Sequence, residues 1–185
     1  MEKNTIGIRG FWGDDSKYLL DECQKSLAKR GISLRLHNIS GRAFNFTGLD
    51  FIIMDAGLIL QSLFSSGLYD FLKLQITILW GILRKPEKDD STIPFFIKVE
   101  NVPTPNGEKA ISFRVSGGLT DEQKTLVIDK SFETIQKISE GSIHLRAPTK
   151  FDEASNSGNL LNINPKNLEV SEVDIEAEIR KKLRK

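Results

Sequence analysis

Hydrophobic positions recur along this chain with two periods, and the changes of period divide it into elements. TIGIRGF alternates and ends on glycine, which predicts a strand. DDSKYLLDECQKSLAKRG then sets Leu20, Cys23 and Leu27 on one helical face, with Asp14 or Asp15 able to cap the start, Lys29 and Arg30 at the negative end and Gly31 as a left-handed stop. ISLRLHNI alternates Ile32, Leu34 and Leu36 against Ser33, Arg35 and His37, the pattern of a strand covered on one face.

From Phe51 to Leu83 the only charges are Asp55, Asp70 and Lys73. At helical spacing, Asp50, Asp55, Gln61, Ser62, Ser65 and Ser66 gather on one side. Ile52, Ile53, Ala56, Ile59, Leu60, Leu63 and Phe64 gather on the other, predicting an amphipathic helix that bends at Ser65-Ser66-Gly67. In the second half, Leu72, Leu74, Ile76 and Ile78 alternate with Lys73, Gln75 and Thr77, so a buried strand competes with a helix. The apolar character running on through Leu79, Trp80, Ile82 and Leu83 to Arg84-Lys85-Pro86 favours the helix.

KPEKDDST reads as a polar connector, and PFFIKVENV, PTPNG and EKAISFRVS read as a hairpin with Ile111, Phe113 and Val115 on one face. Thr120 and Gln123 form a T-x-x-Q capping box that opens a helix with Ile128, Phe132 and Ile135 inward. SIHLR reads as a short final strand. Between Pro148 and Pro165 the composition is loop-like, and Ile175, Ile179 and Leu183 recur at helical spacing in SEVDIEAEIRKKLRK. The expected architecture is therefore an α/β (α+β) fold, a mixed sheet of four to five strands packed against an apolar helical pair and two amphipathic helices. It divides into a core domain over 1–147, a linker-like segment over 148–170 and a C-terminal helix over 171–185.

Composition narrows the classes that fit. With 185 residues, 39% of them hydrophobic, the chain can build its own core. A net charge of +1, from 26 basic and 25 acidic residues, makes no global case for nucleic acid or anionic lipid. The start MEKNTIGIRG lacks a long apolar leader and the single Cys23 cannot form an internal disulfide, so a cytoplasmic protein is expected and the sequons at Asn38 and Asn45 are read as accidental. The longest charge-free stretch, Ala56 to Tyr69, has 14 residues and includes Gln61, Ser62, Ser65 and Ser66, too short and too polar for a spanning helix.

Candidate chemistry is sparse. Gly7, Gly10 and Gly13 lie between a strand and a helix, but the G-x-x-G-x-x-G spacing is neither a dinucleotide fingerprint nor a P-loop, and Asp14 and Asp15 would repel phosphate. Cys23 falls on the inward helix face, as a small buried hydrophobe does. His37 and His144 have no neighbouring ligands at zinc-site spacing, Asp89 and Asp90 sit in the charged connector, and RKKLRK at the end reads as a solvated helix terminus. No catalytic, cofactor or metal set is expected. Leu72, Ile76, Leu79, Trp80 and Leu83 form a broad face in a segment apolar around more of its circumference than one sheet face requires. They are the expected contact with a protein partner or a second copy of the chain, with Trp80 as its anchor.

The order strand, helix, strand, then the glycine-broken apolar stretch FIIMDAGLILQSLFSSGLYDFLKLQITILWGILRK, then a hairpin and a helix opening LTDEQK, resembles the effector-associated constant components of bacterial conflict systems over roughly residues 5 to 140. The resemblance rests on element order and hydropathy, with a longer hairpin and an added C-terminal segment here, and transfers no site residues. It implies a non-catalytic adaptor joining an effector to a sensor or protease. An enzyme whose site is assembled from scattered residues is the alternative, recognisable by a deep polar cleft placing His37 or His144 beside a carboxylate. A peripheral membrane protein is the third.

Overall fold

The structure, a computed structural model, describes residues 4–10, 12–38, 50–83, 94–116, 118–147, 158–174, 177 and 180–181. The strands are β1 (Thr5–Gly10), β2 (Ser33–Asn38), β3 (Asp50–Asp55), β4 (Phe95–Thr104), β5 (Gly107–Val115), β6 (Asn159–Ile163) and β7 (Val170–Glu172), and the helices are α1 (Lys17–Ala28), α2 (Ala56–Leu63), α3 (Ser66–Leu83) and α4 (Asp121–Ser139). One mixed sheet runs β2-β1-β3-β4-β5-β6-β7, with β1/β2, β3/β4 and β5/β6 parallel and the other neighbours antiparallel. Each parallel pair is joined through helices, as parallel strands require. The α/β class is as expected, and the sheet has seven strands rather than four or five.

The helices pack on one another and on a single face of the sheet. Ile6, Ile8, Ile52, Met54, Ile97, Val99, Ile111, Phe113 and Leu161 point into that layer and meet Leu20, Leu27, Ile59, Leu72, Ile76, Ile128, Phe132 and Ile135. The opposite face carries a much smaller cluster of Phe96, Leu160 and Val173, with Phe51 packed against it.

Local chemistry explains most boundaries. Gly31 ends α1 at φ +69, and the Thr120–Gln123 capping box opens α4 with both reciprocal hydrogen bonds present. The hairpin is tighter than its composition indicates: β4 runs to Thr104, which pairs with Gly107 across Pro105-Asn106, and Gly107 supplies φ +100. A bulge between Val99 and Val102 puts Asn101 at φ 58, a conformation asparagine tolerates. Its Nδ2 donates to Asp55 Oδ2 at 2.6 Å, while Asp55 Oδ1 accepts from the Gly57 N–H at 2.9 Å. One carboxylate therefore ends β3, caps α2 and pins the bulge of β4.

Three sequence expectations are corrected. Residues 50–55 form a strand, not the first turns of a helix. β3 lies between β1 and β4 with Ile52 and Met54 fully buried on the helix side and Phe51 and Ile53 half-buried on the other, so it reads as a continuous apolar run that periodicity cannot separate from a helix. The helix that follows buries Ala56, Leu58, Ile59 and Ser62, leaving Phe64 at its end 93% exposed. SIHLR is not a strand; the place beside β5 belongs to β6, inside the segment read as linker, and β7 adds to it. Asn159 to Ile163 makes a short strand among asparagines and glycine, too brief for its alternation to stand out. Of the C-terminal helix, residues 177, 180 and 181 are helical and Asp174 Oδ1 accepts from the Ala177 N–H, whereas Ile175, Ile179 and Leu183 lie outside the described residues. So do Asn45, Asp89, Asp90 and the Arg84-Lys85-Pro86 stop.

Gly158, at φ +63, starts β6 so close to β5 that a Cβ there would overlap the Ala110 carbonyl oxygen. Gly158→Ala combines left-handed strain with a backbone clash and should cost about 2–4 kcal/mol in a denaturant melt. Gly31→Ala, at a similar φ but with open space around its Cβ, should cost only about 1 kcal/mol.

Candidate functional site

Leu72, Ile76 and Leu79 are fully buried, and Trp80 and Leu83 are 3% and 7% exposed, so the face expected to meet a partner is spent inside this chain. Its excess apolar character has a simple cause. α3 lies against β3 and is flanked by α1, α2 and α4, so it is covered on three sides rather than one. Trp80 stacks on Phe95 at 4.1 Å between centroids with 10° between planes, which makes it a core ring and corrects its reading as an interface anchor.

Two other clusters hold reactive side chains. Tyr69 and Lys73, one turn apart on α3, both reach Asp129 of α4: the Tyr69 hydroxyl donates to Oδ1 at 2.7 Å and the Lys73 ammonium lies 3.0 Å from it. A tyrosine beside a lysine can serve as a proton donor when the cation lowers its pKa. Here burial, and then the Asp129 carboxylate, push the Tyr69 hydroxyl up instead, so the trio is a clasp between two helices. Cys23 is 3% exposed, and burial pushes its thiol up to about 11, the opposite of an activated nucleophile.

The sheet face opposite α1 to α4 offers a different arrangement. On it, Gly7 and Ile53 are neighbours, and next to them β1 and β2 set Gly7 opposite Arg35 and Arg9 opposite His37. The absent side chain of Gly7 leaves a shallow open depression of about 540 Å³, lined by Gly7, Ile8, Arg9, Arg35, Leu36, His37 and Ile53. Arg9, Arg35 and His37 are all exposed. Farther across this face, charge is compensated: Lys98 lies 3.0 Å from Glu100. Burial pushes the Glu100 carboxyl up, but neighbouring positive charge, led by the Lys98 ammonium, together outweighs it and holds the group below its ordinary value. His37 lies on β2 at one end of the strand order, whereas His144 lies two residues before Arg146, which bonds to Glu172 and Asn159 at the other end. Among the described residues no group of three or more His, Cys, Asp or Glu is placed to hold a metal ion.

β2 also forms one edge of the sheet. The Ser33 N–H donates to the Asn4 carbonyl at 2.9 Å, so the odd-numbered residues of β2 address β1. Leu34, Leu36 and Asn38 then direct their N–H and C=O groups to the outer side, where no described strand pairs with them. The alternation that predicts β2 contains this information, but edge position follows only from the order of strands.

The chain matches no family model, no curated protein and no solved structure. Among the described residues no helix is long and apolar enough to cross a membrane.

Trp80→Ala should destabilise the fold by about 3–5 kcal/mol in a denaturant melt, with no change in the sedimentation coefficient of the protein that remains folded. The Cys23 thiol should react slowly with Ellman's reagent at pH 8 in the native state and promptly in denaturant. Because its pKa is raised on folding, an unfolded chain loses this proton first as pH climbs past 9, so the stabilising contribution is present below that value and is lost towards pH 11.

Proposed function

We propose that this protein is a non-catalytic protein-binding module of the adaptor kind, and that it takes up an extended segment of its partner as an added strand on the outer edge of β2. The observation that carries this reading is the edge itself. Five of the six residues of β2 are exposed, every second backbone N–H and C=O faces outward, and the adjoining sheet face is not covered by the helices. Sheet edges left open invite pairing, and proteins otherwise blunt them with proline, bulges or a covering segment. Arg35 supplies a charge of the kind that discourages indiscriminate pairing, while the strand pairs with β1 in an unbroken register and contains no proline. An adaptor role is also what the resemblance to the effector-associated constant components implies. The enzyme reading draws less support, since the depression at His37 is shallow, open and rimmed by arginines rather than by a carboxylate.

The test is selection of a displayed random-peptide library on the immobilised protein, with three forms compared on the enriched peptides. Leu36→Pro removes an outward N–H without touching the bonds to β1, and Leu36→Thr keeps that N–H while changing the side chain. Peptides should bind wild type and Leu36→Thr and lose most of their affinity for Leu36→Pro. The amides of Leu34 and Leu36 should exchange more slowly once a peptide is bound. No enrichment, or equal binding to Leu36→Pro with no amide slowed, would overturn the reading.

A further inference from the structure

The outer edge of β2 is complementary to itself. Leu34, Leu36 and Asn38 turn their N–H and C=O groups outward, so an antiparallel second copy of the strand can meet it in a register centred on Leu36. Leu36 then lies opposite Leu36 of the second copy as a hydrogen-bonded pair, Leu34 opposite Asn38, and Arg35 opposite His37. Each of the last two pairings occurs twice about a two-fold axis. Leu36, 43% exposed beyond the buried Ile32 and Leu34, gains an apolar neighbour on the helix side of the sheet. A register centred on Arg35 would instead set two arginines against each other at the narrow kind of pair, about 4.5 Å between Cα atoms. The helix above the edge extends the surface. Leu20, Cys23 and Leu27 of α1 face the core and Arg30 lies over Phe71 of α3, so Lys17, Asp21, Gln24 and Ala28 occupy the opposite flank, beside β2. All four are exposed, with one charge of each sign among them. A lone extended peptide covers the strand edge and leaves that flank in water. A second copy covers both, towards the roughly 1,000 Å² that a specific interface buries.

We propose that, when no other partner is bound, the strand received by β2 is β2 of a second copy of this chain, in a two-fold dimer whose sheet runs unbroken from one copy into the other. The inference rests on the reading of β2 as a docking edge and names its first occupant. A partner strand and the second copy then compete for the same outward N–H and C=O groups. The interface is small, one six-residue strand and one helix flank, so the dimer is weak, with a Kd of about 1–100 μM. That weakness suits the role. Self-pairing closes the edge against indiscriminate strands, yet gives way to a partner segment that binds more tightly.

Sedimentation velocity over a series from about 1 μM to 1 mM tests this directly. Wild type should pass from monomer to dimer. Leu36→Pro, which removes both hydrogen bonds at the axis, should raise the Kd at least about 100-fold, and Leu36→Thr, which keeps them, by about tenfold or less. Introduced thiols read the register independently of whether the proline variant folds. A short bifunctional thiol reagent should join two copies of Leu36→Cys, which lie opposite one another, and not of Ser33→Cys, whose copies stand roughly 20 Å apart along the ladder. Wild type, whose one thiol is the buried Cys23, is the blank. Peptides selected on the immobilised protein should return the dimer to monomer. Wild type that stays monomeric throughout, with selected peptides still lost in Leu36→Pro, overturns the second copy and leaves the docking edge standing. A dimer equally tight in Leu36→Pro, or joined as readily at residue 33 as at residue 36, also overturns it. A dimer broken by Leu36→Pro and joined at residue 36, with no peptide selected, supports the inference and overturns the adaptor reading. A monomer that selects no peptide overturns both.

Discussion

Burial of one sheet face under four helices is the interaction on which everything else in this molecule depends. The side chains of Ile6, Ile8, Ile52, Met54, Ile97, Val99 and Phe113 form a continuous apolar floor, and no single helix is wide enough to cover it. α3 solves the problem by lying at the centre of the layer, in contact with α1, α2 and α4 as well as with β3. It must therefore be apolar on more than one side, and the Arg30 guanidinium over the Phe71 ring and the Tyr69–Asp129–Lys73 clasp tie its more exposed flanks to α1 and α4. With α1 to α4 committed to one side, the opposite face is buried within the chain at Thr5, Phe96, Ser112 and Leu160 and exposed at Arg9, Arg35 and His37.

That asymmetry separates structural from functional charge. Charged groups at the helical layer are used in pairs, as in Lys124 with Asp121 and Lys73 with Asp129, or as caps, as in Asp55. At the β1–β2 corner of the opposite face Arg9, Arg35 and His37 are exposed and lie outside the apolar core. Exposed side chains beside a sheet edge can vary at less cost to folding than those of the core.

Much of this fold was legible in the sequence wherever one period dominated a long segment. The inward face of α1, the hairpin of β4 and β5, the Thr120 capping box and the helical state of Ser66–Leu83 all follow from patterning and end signals. The failures share one physical cause, which is that coverage on several sides erases periodicity. β3 is half-buried or buried along its whole length and so passes for a helix, and α3 is so widely covered that it passes for a surface with apolar area to spare. The strand β6 was hidden for the opposite reason, being too short and too rich in asparagine to show a pattern. The candidate site was half legible: Arg35 and His37 could be placed on the outer face of a strand, but their meeting with Arg9 over Gly7 depends on a strand order that no local signal carries.

Gly158 shows how the far side of the sheet is protected. β6 lies against β5 only because that residue has no side chain, and β7 reaches the sheet only through β6. If β6 were displaced, β5 would become a terminal strand of nine residues, long and free of proline, with Ile111, Phe113 and Val115 on one face. A strand of that kind is a template for self-association. One glycine at the start of β6 thus keeps the molecule from carrying a second, indiscriminate edge, and a substitution there would appear first as aggregation during expression.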